Sequence, residues 1–286
     1  MSDYIPDFDE YLNNFIDSAI REDVGDGDHS SLSCIPADAR GRAQLIVKED
    51  GIIAGIDVAQ KVFSKLAPDV KFEKLISDGT HVHKGDIAFR VECTTRTLLL
   101  AERLVLNIMQ HMSGIATATN VYVRRLEGLH TKVLDTRKTT PGMRLLDKLA
   151  VKIGGGVNHR IGLFDMIMLK DNHNDFAGGI QQAIRRAQEY LKANNKKLKI
   201  EVEVRNLDEL AQVMAVGGVD RIMLDNFDLA TTRKAVEIIG GRYETESSGG
   251  ITLDTLRDYA ECGVDFISVG ALTHHVSSLD MSLKAY

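Results

Sequence analysis

Six residues, Asp135, Lys170, Glu203, Asp225, Glu246 and Gly270, each follow directly on a short, largely apolar run. Polar or glycine residues recurring in that place mark the ligand-facing ends of parallel strands. Buried alone, such charges would be costly, so the carboxylates and the lysine either neutralise one another or face a charged ligand and metal. The cations gather close by, in Asp135-Thr136-Arg137-Lys138-Thr139-Thr140-Pro141-Gly142, in Lys148 and in Gly154-Gly155-Gly156-Val157-Asn158-His159-Arg160. Arg137 and Arg160 offer planar forks that grip a carboxylate through two hydrogen bonds, whereas Lys138 and Lys170 are point charges for phosphate or carboxylate. A planar dianionic acid would suit this set. Glu203 and Asp225 are oxygen donors for Mg²⁺ or acceptors for ribose hydroxyls. Glu246-Ser247-Ser248-Gly249-Gly250-Ile251, with a helix expected from Leu253, and Gly270-Ala271-Leu272-Thr273 supply glycine turns whose backbone N–H groups can hold phosphate.

Other candidates are weaker. The Gly154-Gly155-Gly156 run reads either as an exposed flexible segment or as backbone closely approaching a ligand. His81 and His83 alternate on an expected strand and share a face, but no third metal ligand accompanies them. His274-His275 reads as structural.

Those chemical positions require elements to carry them. After Lys132 the chain alternates strand and helix: Lys132-Val133-Leu134, Met166-Ile167-Met168-Leu169, Lys199-Ile200-Glu201-Val202, Arg221-Ile222-Met223-Leu224, Tyr243-Glu244-Thr245 and Phe266-Ile267-Ser268-Val269 are the strands. Each interval has room for a helix and its return, so the strands are expected to be parallel. Successive βα units favour a barrel over an open doubly wound sheet, and no G-x-G-x-x-G follows the first strand. The earlier part differs. An amphipathic helix around Tyr11 to Glu22 precedes short strands at 43–47, 51–55 and 87–91, with turns at Asp78-Gly79 and Lys84-Gly85-Asp86. Between the two parts an apolar helical pattern from Thr94 to about Glu127 is interrupted at Ser113-Gly114, which predicts two helices or one kinked helix.

Composition sets the outer bounds. With 286 residues the chain has room for one large domain or two. Thirty-five Lys and Arg against 41 Asp and Glu give a net charge of −6, so there is no bulk positive field for nucleic acid or anionic lipid. An anionic ligand must therefore meet a local cluster. Cys34, Cys93 and Cys262 are too few and too scattered for a disulfide framework or zinc knuckle, which fits a reducing compartment. The acidic N-terminus has no basic and apolar leader, and no apolar run approaches a membrane span. A cytoplasmic chain is expected.

Taken together, Ala101-Glu102-Arg103, Ser113-Gly114-Ile115-Ala116-Thr117, Asp135-Thr136-Arg137-Lys138-Thr139-Thr140-Pro141-Gly142 and Gly155-Gly156-Val157-Asn158-His159-Arg160 resemble quinolinate phosphoribosyltransferase. The likeness continues through Met168-Leu169-Lys170-Asp171-Asn172-His173, Glu201-Val202-Glu203-Val204, Leu224-Asp225-Asn226-Phe227 and Ser248-Gly249-Gly250-Ile251. It implies an N-terminal α/β sandwich over 1–112, joined by a tail at 277–286, and an incomplete α/β barrel with fewer than eight strands over 113–276. The implied activity joins quinolinate to phosphoribosyl pyrophosphate, giving nicotinate mononucleotide, pyrophosphate and CO₂ on the way to NAD. Mg²⁺ is the implied cofactor. A homodimer, or a higher assembly of such dimers, is implied, with Arg103 reaching the partner's site. Thr136, Arg137, Lys138, His159, Arg160 and Lys170 would line the quinolinate side. Glu203 and Asp225 would hold ribose or Mg²⁺, while Ser248, Gly249, Gly250, Val269, Gly270 and Ala271 would hold the 5′-phosphate. Lys138, Lys170, Glu203 and Asp225 are the expected catalytic group. Gly27-Asp28-His29-Ser30-Ser31 departs from the family's usual pattern, far from these positions.

Two other readings explain fewer residues. Lys170 at a barrel strand end, with a phosphate site after the last strands, would suit a Schiff-base aldolase. A non-catalytic anion-binding protein should lack the complete acidic and basic set present here.

Overall fold

The computed structural model describes residues 7–286, so the first six residues, read above for a leader, lie outside it. Two compact units divide the chain. The first comprises Val121–Lys138 and Gly156–Ala271; the second comprises the described residues up to Asn120, together with Thr139–Gly155 and Leu272–Tyr286.

In chain order the elements are α1 (Phe8–Val24), α2 (His29–Cys34), β1 (Arg40–Val47), β2 (Gly51–Ile52), α3 (Ile56–Leu66), β3 (Lys71–Lys74), β4 (His81–Val82), β5 (Ile87–Thr94) and α4 (Thr95–Arg125). Then come β6 (Lys132–Leu134), α5 (Arg144–Ile153), β7 (Met166–Leu169), α6 (Asp171–Ala177), α7 (Ile180–Ala193), β8 (Lys199–Val204), α8 (Leu207–Val216) and β9 (Arg221–Asp225). The last are α9 (Leu229–Ile239), β10 (Glu244–Ser248), α10 (Leu256–Ala260), β11 (Phe266–Ser268), α11 (Ala271–His274) and β12 (Met281–Ala285).

The second unit is built on an antiparallel sheet in the order β12-β1-β5-β3, with β2 and β4 paired apart from it. Along β1 the side chains of Ala43, Leu45 and Val47 are buried and their neighbours are not, as expected for a sheet with one face on a core. Phe63 of α3 packs with Phe72 and Phe89, the last two stacked at 4.5 Å between centroids. Of the apolar run at 51–55, only Gly51 and Ile52 pair as a strand.

The expected break at Ser113-Gly114 is absent, and α4 runs uninterrupted through both residues. Their small size serves close approach instead. Ser113 Oγ accepts the N–H of Ala54 at 2.8 Å and donates to its carbonyl, and Thr117 Oγ1 accepts from Ile52 N at 2.9 Å. A Cβ on Gly114 would stand 2.2 Å from the carbonyl oxygen of Ser277. Gly154, the C-cap of α5, is likewise pressed on α4, where a Cβ would lie 2.4 Å from the Ala116 carbonyl oxygen. The glycine run therefore approaches a helix at this point.

The first unit holds six parallel strands in the order β6-β11-β10-β9-β8-β7. β6 and β7 form the two edges, and the sheet is an open α/β barrel. Strand boundaries shift from expectation at β8, β10 and, by one residue, β11. β8 continues through Glu203 to Val204, and β10 runs on to Ser248, so Glu246 sits in mid-strand instead of at its end. The helix expected from Leu253 begins at Leu256, after a turn. Cys34 is exposed, Cys93 and Cys262 are buried, and all three are free thiols. Among the described residues no helix is long and apolar enough to cross a membrane.

Candidate active site

β6 is too short to project a site alone, and the segment after α5 completes it. Val157 lies along the free edge of β6 as a parallel bridge to Leu134, its N–H donating to Val133 O and its carbonyl accepting from Asp135 N. Asp135, fully buried, accepts from Asn158 Nδ2 at 2.6 Å and from the backbone N–H of His159 at 2.8 Å. Its charge is thus spent on holding the His159-Arg160 segment against the strand end.

Arg160 is buried, with Nη1 donating to Met166 O at 3.2 Å. Burial, and then the neighbouring guanidinium of Arg137, pull its pKa below the ordinary arginine value. Two like charges are therefore brought together with one of them desolvated, an arrangement that an anion between them would relieve. Arg137 and Lys138 are exposed just beyond β6, and Thr136 Oγ1 accepts from Lys138 N at 3.0 Å, bending the chain so that consecutive cations emerge there.

Across the sheet, Lys170 follows β7 directly, and its Nζ lies 3.6 Å from Glu203 Oε2. Burial raises the Glu203 pKa; Lys170 opposes that shift, while Asp225 and Asp171 add to it. Glu203 and Asp225, on neighbouring strands, are oxygen donors of the kind a hard cation takes, but among the described residues ligand atoms come within metal-holding proximity of one another only at His159, Glu201 and Glu246. Asp225 ends β9 and accepts from Asn226 Nδ2 at 2.7 Å. Asn226 adopts a left-handed φ of 56° and donates its N–H to Ser248 O at 2.9 Å. Gly249, at φ +94°, fits against it because a Cβ there would stand 2.2 Å from Asn226 Oδ1. Ser248, Gly249 and Gly250 consequently turn sharply at the end of β10. Val269 N donates to Leu134 O at 2.9 Å, which places Gly270 and Ala271 just past the end of β11, the strand between β10 and β6.

The structure thus gathers Thr136, Arg137, Lys138, Arg160, Lys170, Glu203, Asp225, Ser248–Gly250 and Val269–Ala271 at the strand ends of the first unit. Arg103 is the one predicted site residue in the second unit, exposed on α4.

His159 is turned away from solvent. Its Nδ1 accepts the backbone N–H of Arg160 at 2.7 Å, and its Nε2 lies 2.9 Å from Glu201 Oε2 and 3.5 Å from Glu246 Oε2. Arg221 completes this inner layer, with Nη1 at 3.0 Å from Glu246 Oε2, Nη2 at 3.1 Å from Glu244 Oε2, and its guanidinium 4.1 Å over the Phe266 ring. Burial, reinforced by Glu201, pushes the Glu246 pKa up to about 8. Burial also raises that of Glu201, against Arg221. Sequence reading named His159 and Glu246 as site candidates but not Glu201 or Arg221 as their partners, although the alternation Glu201, Glu203 on one strand already puts both on the same face. His159, Glu201 and Glu246 also have the proximity of a metal site, with ligand atoms all within 4.8 Å of one another.

Comparison with known proteins follows the whole chain. Residues 28–113 match the family model described as quinolinate phosphoribosyl transferase, N-terminal domain, and residues 115–284 match its C-terminal domain. The chain is 47% identical to the nicotinate-nucleotide pyrophosphorylase [carboxylating], chloroplastic, of Oryza sativa subsp. japonica, over 96% of this chain and 77% of that protein. It is 41% identical to the probable nicotinate-nucleotide pyrophosphorylase [carboxylating] of Bacillus subtilis (strain 168), over 95% and 92%. Among solved structures, the nicotinate-nucleotide pyrophosphorylase from Francisella tularensis superposes with a TM-score of 0.90 at 39% identity, covering 97% of this chain and 96% of that one.

Proposed function

Because this chain belongs to the quinolinate phosphoribosyltransferase family, we propose that the strand-end site of its open barrel carries that family's reaction. The reaction is phosphoribosyl transfer from phosphoribosyl pyrophosphate to quinolinate with loss of CO₂, giving nicotinate mononucleotide and pyrophosphate for NAD biosynthesis. The observation that carries the site assignment is the gathering of exposed Arg137 and Lys138, buried Arg160 and Lys170 at the ends of the parallel strands, a local set of cations for an anionic acid.

In this reading Arg137, Arg160 and Lys138 hold the quinolinate carboxylates and aim the ring nitrogen at C1 of the ribose. Glu203 and Asp225 bind the ribose hydroxyls or Mg²⁺. The turns at Ser248–Gly250 and Val269–Ala271 take the 5′-phosphate through backbone N–H groups. Mg²⁺, held by Glu203 and Asp225 when bound, supplies charge neutralisation for pyrophosphate. As the C1–O bond to pyrophosphate breaks, the nitrogen lone pair forms the new bond to C1, with Lys170 standing on the quinolinate side next to Glu203. The positive ring nitrogen then stabilises the in-plane electron pair left on C2 when the adjacent carboxylate departs as CO₂, and C2 takes a proton from water. The residues' work is positioning and electrostatic stabilisation.

The same proposal includes a cytoplasmic homodimer in which Arg103 reaches the partner's site, supported by its exposure on α4. Arg137→Ala and Arg160→Ala should each raise the quinolinate Michaelis constant by about tenfold to a hundredfold, the worth of a charge-assisted hydrogen bond. Circular dichroism should stay unchanged. Unaltered Michaelis constants for quinolinate in both variants would remove the pocket assignment.

A further inference from the structure

The inner layer beneath the strand ends is closed off from solvent, yet it is not apolar. Glu201 and Glu246 are fully buried, and His159 and Arg221 nearly so. Ionisable groups buried at this density are costly unless their geometry is tightly fixed. Here one imidazole is set between a backbone hydrogen bond on one side and close contacts, short of aligned hydrogen bonds, with two carboxyl groups on the other. The ring nitrogen Nδ1 accepts from the N–H of Arg160, so the ring proton belongs on Nε2, the nitrogen facing Glu201 and Glu246. The backbone of the same residue is fixed by Asp135 at 2.8 Å. Glu246 is in turn fixed by Arg221 at 3.0 Å, and Arg221 by Glu244 and the face of Phe266. Both nitrogens of His159 are thereby directed at protein groups, one at the next residue's backbone and one downward into the barrel.

We infer that Glu201 and Glu246 are positioning residues for the reaction: by fixing the ring and tautomer of His159 they set the backbone of Arg160, and so aim its guanidinium at the substrate carboxylate. The inference rests on the reading of Arg160 as a quinolinate-binding residue. It assigns His159 the task of an orienting strut, in the way an outer partner fixes a ligand histidine in metal sites. It also explains why β8 places glutamate twice on one face: Glu203 works at the strand end, and Glu201 holds the adjacent pocket wall from below.

The test combines kinetics with nitrogen NMR on the full-length protein. Glu201→Gln should raise the Michaelis constant for quinolinate by about tenfold, since a misplacement near 1 Å costs up to about a hundredfold. The Michaelis constant for phosphoribosyl pyrophosphate should stay within about twofold, because Glu203, Asp225 and the glycine turns are untouched. Equal rises in both constants, or no rise in either, overturn the inference. In the parent protein labelled at histidine nitrogen, with His159 assigned by loss of its signals in His159→Gln, the ring should be neutral and protonated on Nε2. An Nδ1–H tautomer overturns the inference, even if Glu201→Gln does not fold. Stoichiometric zinc in the purified protein that disappears with Glu201→Gln would overturn it too, by making the cluster a metal site. Arg160→Ala separates the two claims. If that variant leaves quinolinate binding unchanged, the pocket reading fails; if it weakens binding while Glu201→Gln does not, only the positioning role fails.

Discussion

Two charged layers lie one above the other inside the same six-stranded sheet, and they are built on opposite plans. At the strand ends, charge is left incompletely balanced. Arg137 adds to the cost of a buried Arg160, and Asp225 and Asp171 raise the pKa of Glu203 despite the lysine beside it. One level down, Glu201, Glu246, Arg221 and His159 are buried among one another, with Arg221 against Glu246 and the His159 ring between the two carboxyl groups, and Glu201 adds to the burial that pushes the Glu246 pKa up. The difference shows how a site can be strained and rigid together. In the proposed reading a ligand completes the upper layer, whereas the lower layer is closed off from solvent and supplies the frame.

The comparison breaks most visibly if the two layers respond alike to mutation. Glu203→Gln or Asp225→Asn should lower kcat/KM by about a thousandfold, the scale of losing a preorganised electrostatic group, while the melting temperature stays level or rises. Steady-state assays paired with thermal unfolding read both quantities. Arg221→Leu should act chiefly on stability. Stranding Glu244 and Glu246 without their cation should cost about 3 to 5 kcal/mol of stability, measured by urea unfolding. A stability loss below about 1 kcal/mol would mean that the lower layer is not an internally balanced frame.

The smallest effect is a pH dependence. In the fold Glu246 has its pKa pushed up to about 8, well above the ordinary carboxyl value, so between those two values the native state holds a proton that the unfolded chain has released. Stability therefore falls as pH rises through that window. Glu246→Gln cannot lose that proton, so its melting temperature relative to the parent should climb steadily from pH 5 to pH 8. A flat difference across that range would show that Glu246 ionises normally.

Much of this arrangement is legible in the residues, and the places where it is not have physical causes. β6, β7, β9 and β11 announce themselves because a buried parallel strand is an apolar run, and a charge or glycine after it stands out. β10 does not, since Glu244, Thr245, Glu246, Ser247 and Ser248 are all polar; its burial rests on Arg221 and on Asp265, whose carboxylate accepts from Thr245 N and Oγ1. No periodicity rule marks the end of such a strand, and Glu246 therefore falls in mid-strand. β8 alternates charged and apolar residues like a half-exposed strand, yet every residue after Lys199 is buried, because the barrel interior is itself ionic. At α4, Ser113-Gly114 has the composition of a break but acts as a contact surface, and only the tertiary neighbours Ala54 and Ser277 reveal which. The resemblance to a family, carried by motifs across nearly the whole chain, named residues of the upper layer and placed His159 with them on the quinolinate side. It did not group His159 with Glu201, Glu246 and Arg221, because that layer depends on side chains meeting across several strands.

The central claim is that the upper layer joins quinolinate to phosphoribosyl pyrophosphate and releases one carboxylate. The purified protein should be incubated with Mg²⁺, phosphoribosyl pyrophosphate and quinolinate carrying an isotopic label in the carboxylate next to the ring nitrogen. Labelled CO₂, nicotinate mononucleotide and pyrophosphate should appear in equal amounts, and none of them when phosphoribosyl pyrophosphate is omitted. Neither CO₂ nor mononucleotide from the complete mixture would contradict the account.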